Sequence, residues 1–274
     1  MYVVGTPIGN LQDLTERARQ VLCDVALVAA EDTRHSRRLL EHVGSRARCV
    51  SLHQHNEAQR SVQILAALSA GDSVALISDA GTPLISDPGY LLLRAVRESG
   101  ITAVPVPGPS AVTAALSVAA LPTERFCFEG FLPSRARARD ERLQSLRDEQ
   151  RTLVFFEAPH RVLATLQSMC SAFGGERPLT LARELTKQYE TLVYGDLQAA
   201  LGALQADPGQ QRGEFVLVVA GAAPAAVKTS AESRRVLEVL LEELAPAKAA
   251  RVAARLTGES RQALYRLAIQ LSEA

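Results

Sequence analysis

The residues best suited to chemistry fall in a few short clusters. Ser78-Asp79-Ala80-Gly81-Thr82-Pro83 is followed at once by Ser86-Asp87-Pro88-Gly89. Two Asp-plus-Gly turns supply carboxylates for ligand hydroxyls or a cationic group, and their glycines let backbone approach a ligand closely. Asp-Pro-Gly is also a common turn, but the placement directly after the all-apolar Val74-Ala75-Leu76-Ile77 favours a ligand role. Glu31-Asp32-Thr33-Arg34 and Arg183-Glu184-Leu185-Thr186-Lys187 set opposite charges side by side. The commoner fate of such clusters is a salt-bridged rim without chemistry. Lys187 stands out because only three of the 30 basic residues are lysines. A lysine beside Glu184 could orient or deprotonate a hydroxyl.

His53-Gln54-His55 places two histidines two apart at an expected strand end. The pattern offers no third ligand, so His55 reads as hydrogen-bonding or substrate-contacting, and no metal is expected. His160 and Arg161, in Glu157-Ala158-Pro159-His160-Arg161, suit a helix cap or a cleft wall equally. Arg135, Arg137, Arg139, Arg142, Arg147 and Arg151 form a basic run diluted by Asp140, Glu141, Asp148 and Glu149. Its default is a solvated helix face, with the stretch from Arg135 through Arg137 to Arg139 the better candidate for phosphate contact. Gly5-Thr6-Pro7-Ile8-Gly9-Asn10 and Pro107-Gly108-Pro109-Ser110-Ala111 are rigid Gly/Pro loops. Neither fits the dinucleotide or the P-loop pattern.

The chain that must position these clusters alternates short β-type runs with helical stretches, the signature of α/β architecture. Strands are expected at 2–4, 25–30, 74–77 and 103–106, then at 126–128, 152–156, 180–182 and 215–220. They deliver Gly, Pro, Asp, Ser or Glu at their C-terminal ends, the ligand-binding edge of an open parallel sheet. Leu121-Pro122 divides the series into domains at 1–121 and 122–222, with a cleft expected. A helix with a capping-box start is expected from Asp13 and Glu16, and another from an Asn56 cap to Gly71. Residues 222–232 are Ala/Pro-rich and read as a linker. Helices at 233–244, 246–257 and 260–272 then make a small C-terminal module, 233–274, that resembles a helix-turn-helix or else serves packing or dimerisation.

Composition bounds the partners. The 274 residues are enough for about two domains. With 47% apolar residues and 30 basic against 30 acidic side chains, the chain is neither disordered nor a bulk polycation. Any nucleic-acid grip must come from local patches. No apolar run reaches the roughly 18 residues of a membrane span, and the N-terminus lacks the features of a signal peptide, so a cytoplasmic protein is expected. Cys23, Cys49, Cys127 and Cys170 are scattered and read as reduced core residues.

Taken together and in order, these motifs resemble the ribosomal RNA small subunit methyltransferase I group of the tetrapyrrole methylase superfamily. The resemblance runs from Val4-Gly5-Thr6-Pro7-Ile8-Gly9-Asn10-Leu11 to the tail at 244–264. Departures are small: Ala158 where Ser or Thr is frequent, Ala119-Ala120 where Gly is usual, and Arg212 for a common Lys. The resemblance implies two α/β domains of tetrapyrrole-methylase type, S-adenosyl-L-methionine in the cleft between them, and a homodimer. It implies 2′-O-methylation of a cytidine ribose in the decoding region of 16S rRNA, within the small ribosomal subunit. By the same match the cofactor lies along Asp79, Ala80, Gly81, Ser110 and Ala111, with Phe156, Glu157, Arg183, Gly213, Glu214 and Phe215 from the second domain. Lys187 is expected to polarise the hydroxyl, with Glu31 or Glu184 as its carboxylate partner. Asn10, Arg34, His55, Arg135, Arg137, His160 and Arg161 are expected to contact substrate. The alternatives are a precorrin-type small-molecule methylase, a protein methylase, and an RNA-binding assembly factor that holds cofactor without turnover. The arginine-bearing tail argues against the first of these.

Overall fold

Short apolar runs in the first half become the parallel strands at the centre of a sheet, and the polar Arg48–Ser51 becomes its edge. The computed structural model describes residues 1–223 and 230–272. Strands β1 (Tyr2–Val4), β2 (Leu27–Ala30), β3 (Arg48–Ser51), β4 (Val74–Ile77) and β5 (Val104–Val106) form one sheet in the order β3-β2-β4-β1-β5. Every pairing in it is parallel. All residues of β2 and β4 are buried, which is why these strands show no polar alternation. Helices α1 (Glu16–Asp24) and α2 (Thr33–Val43) cover one face; α3 (Glu57–Ser69) and α4 (Tyr90–Glu98) cover the other.

Two caps differ from expectation. Thr15, not Asp13, caps α1 by accepting the Ala18 N–H at 3.1 Å, while Glu16 pairs with Arg19. Asn56 makes no cap bond to α3; its Oδ1 accepts the His53 N–H at 2.8 Å. The α4 N-terminus, which starts after Gly89, is instead capped by the buried Glu57 carboxylate, which accepts N–H groups of Gly89, Leu91 and Leu92.

The second sheet has the order β6-β7-β10-β8-β9, from β6 (Phe126–Phe131), β7 (Thr152–Glu157), β8 (Pro178–Arg183), β9 (Thr191–Asp196) and β10 (Phe215–Val219). It is mixed rather than parallel: only β6 and β7 run together. The stretch between β8 and β9 is too short for a crossover, so the two form an antiparallel pair. Because β10 runs against β7 and β8, Gly213 and Glu214 precede their strand yet reach the edge where β7 and β8 end. Phe215 stands opposite both Glu157 and Arg183.

Helices α6 (Ala136–Ser145), α7 (Val162–Phe173) and α8 (Leu197–Ala206) pack on one face of this sheet. The other face is covered by α5 (Ala111–Val118), whose Val112, Ala115 and Leu116 pack against Val154, Val216 and Val218. Thr180 Oγ1 and Tyr194 OH donate to the carbonyls of Ala119 and Val118, satisfying the end of α5. A helix of the first half therefore completes the core of the second, and its N-terminal Ser110 and Ala111 are held at the junction. The four cysteines are unpaired and half-buried.

Residues from Ala222 onward form a separate unit. Helices α9 (Ala231–Glu243), α10 (Pro246–Thr257) and α11 (Arg261–Ser272) close around Leu237, Ala249, Ala253 and Leu264. Alanines on α10 allow close helix approach, and Gly258 ends that helix in the left-handed region. Helix α9 starts inside the stretch read as a linker, because Ser230 Oγ accepts the Ser233 N–H. The rest of that reading, at 224–229, lies outside the described residues, as do 273–274. Among the described residues no helix is long and apolar enough to cross a membrane.

Candidate active site

The loops after β1 and β4 are stitched together by paired backbone bonds between Thr6 and Gly81, at 2.8 and 3.1 Å. They stand at the C-terminal edge of adjacent strands where the chain order reverses, the usual ligand position in an open parallel sheet. A cavity of 380 Å³ opens there. Its first-half wall is Ile8, Asp79 to Thr82, Ile85, Asp87, Ser110 and Ala111. Its second-half wall is Phe131, Phe156, Leu185, Glu214, Phe215 and the backbone around Glu157. The aromatic rings meet edge to face, with the Phe131 and Phe156 centroids 5.6 Å apart.

Carboxylates gather at the mouth. Burial pushes Asp87 up to about 6, against a hydrogen bond from Ser78, with the Asp79 charge adding to the rise. Glu31 is raised by burial and then by the charges of Asp87, Asp79 and Asp32. A site with aromatic and aliphatic walls and cation-hungry carboxylates suits an amphiphilic organic cation.

A second hollow, of 440 Å³, shares Ile8, Asp79, Ala80 and Glu214 with the first. Lys187 stands in it, donating to Glu184 Oε1 and Glu214 Oε2 at 2.8 Å each. Burial pulls the Lys187 pKa down, but the bonds and charges of the two carboxylates outweigh it and the net direction is up. Glu184 shifts the other way: burial raises it, and Lys187 together with the Glu214 N–H more than reverses this. Both groups are therefore held ionised. Two glycines leave room for them. A Cβ at Gly9 would overlap the Lys187 chain, and one at Gly213 would overlap the Glu184 side chain.

Of the two carboxylates expected beside Lys187, Glu184 pairs with it and Glu31 does not; Glu214 is the second partner. Strand β4 lies between β2 and β1, so Glu31, after β2, faces the Asp79 and Asp87 turns, while Lys187 lies over Gly9 after β1.

Comparison with known proteins identifies the family. The tetrapyrrole (corrin/porphyrin) methylase family matches residues 1–201, and the RsmI C-terminal HTH domain matches 227–272. A Pseudomonas aeruginosa protein named ribosomal RNA small subunit methyltransferase I is 52% identical over 272 residues, covering 98% of this chain and 96% of its own. Proteins of the same name from Xylella fastidiosa and Escherichia coli O157:H7 are 49% and 47% identical. They cover 97% and 98% of this chain and 97% and 94% of their own lengths. The chain belongs to the ribosomal RNA small subunit methyltransferase I family. Its fold is that of the tetrapyrrole methylases. The methyltransferase CobJ aligns with TM-score 0.61 at 18% identity, over 81% of this chain and 94% of that one. A uroporphyrin-III C-methyltransferase from Thermus thermophilus aligns at 0.57 and 22% identity, over 79% and 92%.

In this family member, several residues expected at the site serve the architecture. Arg183 is buried and donates to the carbonyls of Gly209, Arg212 and Tyr189, tying the loop before β10 to the hairpin; it does not line the cavity. Gly213 likewise contributes space, not a wall. Arg161 donates to the carbonyls of Leu132 and Pro133 and pairs with Glu157 at 3.3 Å. Glu157 also accepts from the Thr165 hydroxyl and the Ala158 N–H, so its carboxylate is spent inside the domain.

Arg139 is buried, with Nε on Ser168 Oγ at 3.1 Å, and Arg137 pairs with Glu141 at 2.8 Å. Burial takes Arg139 out of the expected phosphate patch, while Arg137 stays exposed beside its partner. Arg34 folds back on Asp32 at the start of α2. Asn10 caps a 3-10 turn through its Oδ1 and lines a shallow groove beyond Lys187. His55, Arg135 and His160 are exposed and line neither hollow. The apolar wall residues Ile8, Ile85, Phe131 and Leu185 carried no chemical signal in the sequence. Asp87 did carry one, in the second Asp-Gly turn.

Proposed function

We propose that this chain transfers a methyl group from S-adenosylmethionine to the ribose 2′-hydroxyl of a cytidine in the decoding region of 16S rRNA. The observation that carries this reading is the Lys187 ammonium, fixed in the second hollow between two carboxylates, one of which, Glu214, also lines the first. The names of the relatives and the helix-turn-helix match of the tail support an rRNA substrate. The residues present fit the cofactor: Phe131, Phe156, Ile8 and Leu185 suit its adenosine, and Asp79, Asp87 and Glu31 suit its cationic groups. Bound there, S-adenosylmethionine would supply an electrophilic methyl on a sulfonium.

The chain's own groups deal with the hydroxyl. An ammonium has three donors, and Lys187 spends two on Glu184 and Glu214, leaving one for the 2′-oxygen. With its pKa raised, Lys187 acts as a polarising cation and not as the base. The exposed Glu214 carboxylate, engaged among the described residues only by the side chain of Lys187, can accept the hydroxyl proton. Glu184, braced by Lys187 and the Glu214 N–H, holds the lysine in line. Much of the rate then comes from orientation across the junction.

The test mixes purified protein and methyl-labelled S-adenosylmethionine with small ribosomal subunits, naked 16S rRNA or a precorrin. The reading expects label in rRNA, recovered in an alkali-resistant dinucleotide because a 2′-O-methyl blocks cleavage. Label in the precorrin, or cofactor binding without transfer, overturns it. The same reading places the protein in the cytoplasm as a homodimer, which sedimentation checks.

A further inference from the structure

Beyond Lys187 the second hollow runs into a shallow groove that the proposed chemistry has not used. One wall is α2. His35 and Arg38 line the hollow, and Arg38 and His42 line the groove. Spacings of three and four put these side chains on one helical face, along about 10 Å of axis. Among the described residues none of the three has an ion pair or a side-chain hydrogen bond, whereas Arg34 on the same helix is tied to Asp32.

The opposite side of the groove carries Thr186, Lys187 and Gln188, and its floor carries Asn10 and Gln12. Among the described residues no acidic one lines it. Two buried hydroxyls beside the groove have no partner among the described residues. Ser36 is 3% exposed and lines the hollow, and its Oγ has no partner among the described residues. Thr186 Oγ1 is buried and equally unpartnered, on a residue held at φ +66°. Each orphaned hydroxyl is a cost unless something else bonds it.

An arginine without a counter-charge, imidazoles, side-chain amides and unpaired hydroxyls are the set that binds a sugar–phosphate strand with accessible base edges. We propose that this groove, centred on Arg38, binds the single-stranded RNA flanking the target nucleotide. The strand passes His42 and Arg38 and delivers the ribose to Lys187. Arg38 takes a phosphodiester, Ser36 and Thr186 bond sugar or phosphate oxygens, and the amides of Asn10, Gln12 and Gln188 meet base edges. This deepens the rRNA reading above and rests on it. It also moves the grip on RNA from the arginines of α6 to α2.

The experiment measures equilibrium binding of small ribosomal subunits without cofactor, across a salt series, and kcat and KM for methyl transfer to them. Cofactor affinity is measured separately by calorimetry. The proteins are the full chain, Arg38→Gln, the double variant His35→Ala/His42→Ala, and Arg60→Gln, which removes a like charge from α3 away from the cleft. Arg38→Gln should weaken subunit binding and raise KM by about tenfold. It should make the salt slope shallower by about 0.7, with kcat and cofactor affinity unchanged. The double variant should show a smaller loss, and Arg60→Gln none. Unchanged binding, KM and salt slope for both Arg38→Gln and the double variant would overturn the groove while leaving the rRNA reading intact. Equal losses for Arg38→Gln and Arg60→Gln would also overturn it. If the wild-type chain binds subunits but transfers no methyl, the reaction falls and the binding arm still decides the groove. If it neither binds nor methylates them, both fall.

Discussion

Helices α2 and α6 are both rich in basic residues, and the fold uses them in opposite ways. On α2, His35, Arg38 and His42 face the cleft and its groove without partners among the described residues. On α6, Arg137 pairs with Glu141, Arg142 pairs with Glu129, and Arg139 is buried against Ser168. The carboxylates follow the same division. Asp87 and Glu31, in the first half, have no cationic partner among the described residues, and burial raises both. Glu157 and Glu184, in the second half, are held by Arg161 and Lys187. A paired charge has its field cancelled locally and has little left for a phosphate or a cofactor cation. On the proposed reading, open charges at the cleft are the ones left for ligands, and closed ones fix the geometry that those ligands meet.

Lys187 is the hardest case for this division, since it is closed yet proposed to meet the reacting hydroxyl. Lys187→Ala should lower kcat by about 10²- to 10⁴-fold with cofactor affinity unchanged, read by single-turnover methylation and calorimetry. A variant at full speed would make Lys187 one more architectural pair, and the division would lose its catalytic member. Gly9→Ala sharpens the point, because its methyl would fall on the lysine chain without touching the charge. An intermediate loss of kcat is expected, again with cofactor affinity kept.

The open carboxylates predict a pH dependence. Asp87 titrates at about 6, above its ordinary 3.8, because burial penalises its charge. A bound cation favours the ionised form, so cofactor affinity should be low below about 6, rise through it and level off above. With one such group the affinity around pH 5 should be about tenfold weaker than around pH 7, measured by calorimetry. Asp87→Asn should flatten the profile, and a flat wild-type profile would mean that Asp87 faces no cation. Stability of the free protein should run the other way. Between about 4 and 6 the folded state holds a proton that the unfolded chain has lost, so this contribution to stability declines as pH rises.

Much of the fold was legible because buried parallel strands are continuous apolar runs. β1, β4 and β5 stand where such runs end in Gly, Pro or Asp, and the turns at Asp79 and Ser110 line one cavity. The half-exposed edge strand β9 left no such run. The direction of β10 was hidden too, because a fully buried strand reads the same both ways. Arginines were the least legible residues. Arg183 is held by main-chain carbonyls of loops, and Arg161 by those of Leu132 and Pro133 besides its ion pair with Glu157; no charge pattern displays a carbonyl partner. On α2 the three-four spacing of His35, Arg38 and His42 was present but masked by Arg34 and Arg37. Only the closing of Arg34 onto Asp32 separates that arginine from the open face.

The smallest effects belong to α6, and they test the closed side of the comparison. Arg139→Ala removes a buried stem and its bond to Ser168, and should cost about 1–3 kcal/mol of stability in denaturant unfolding. Its KM for small ribosomal subunits should not change. Arg137→Gln should change neither stability nor KM, because an exposed i,i+4 ion pair contributes under about 0.5 kcal/mol. The pair matters for what the positions share: both are arginines of the run that the sequence offered for phosphate. If RNA did reach α6, Arg137 would be the residue to feel it, since its side chain is 92% exposed and could leave Glu141 for a phosphate at little cost. A raised KM for Arg137→Gln comparable to that of Arg38→Gln would show that pairing seen in the free protein does not remove a charge from binding, and the distinction between open and closed charges would fail on its own ground.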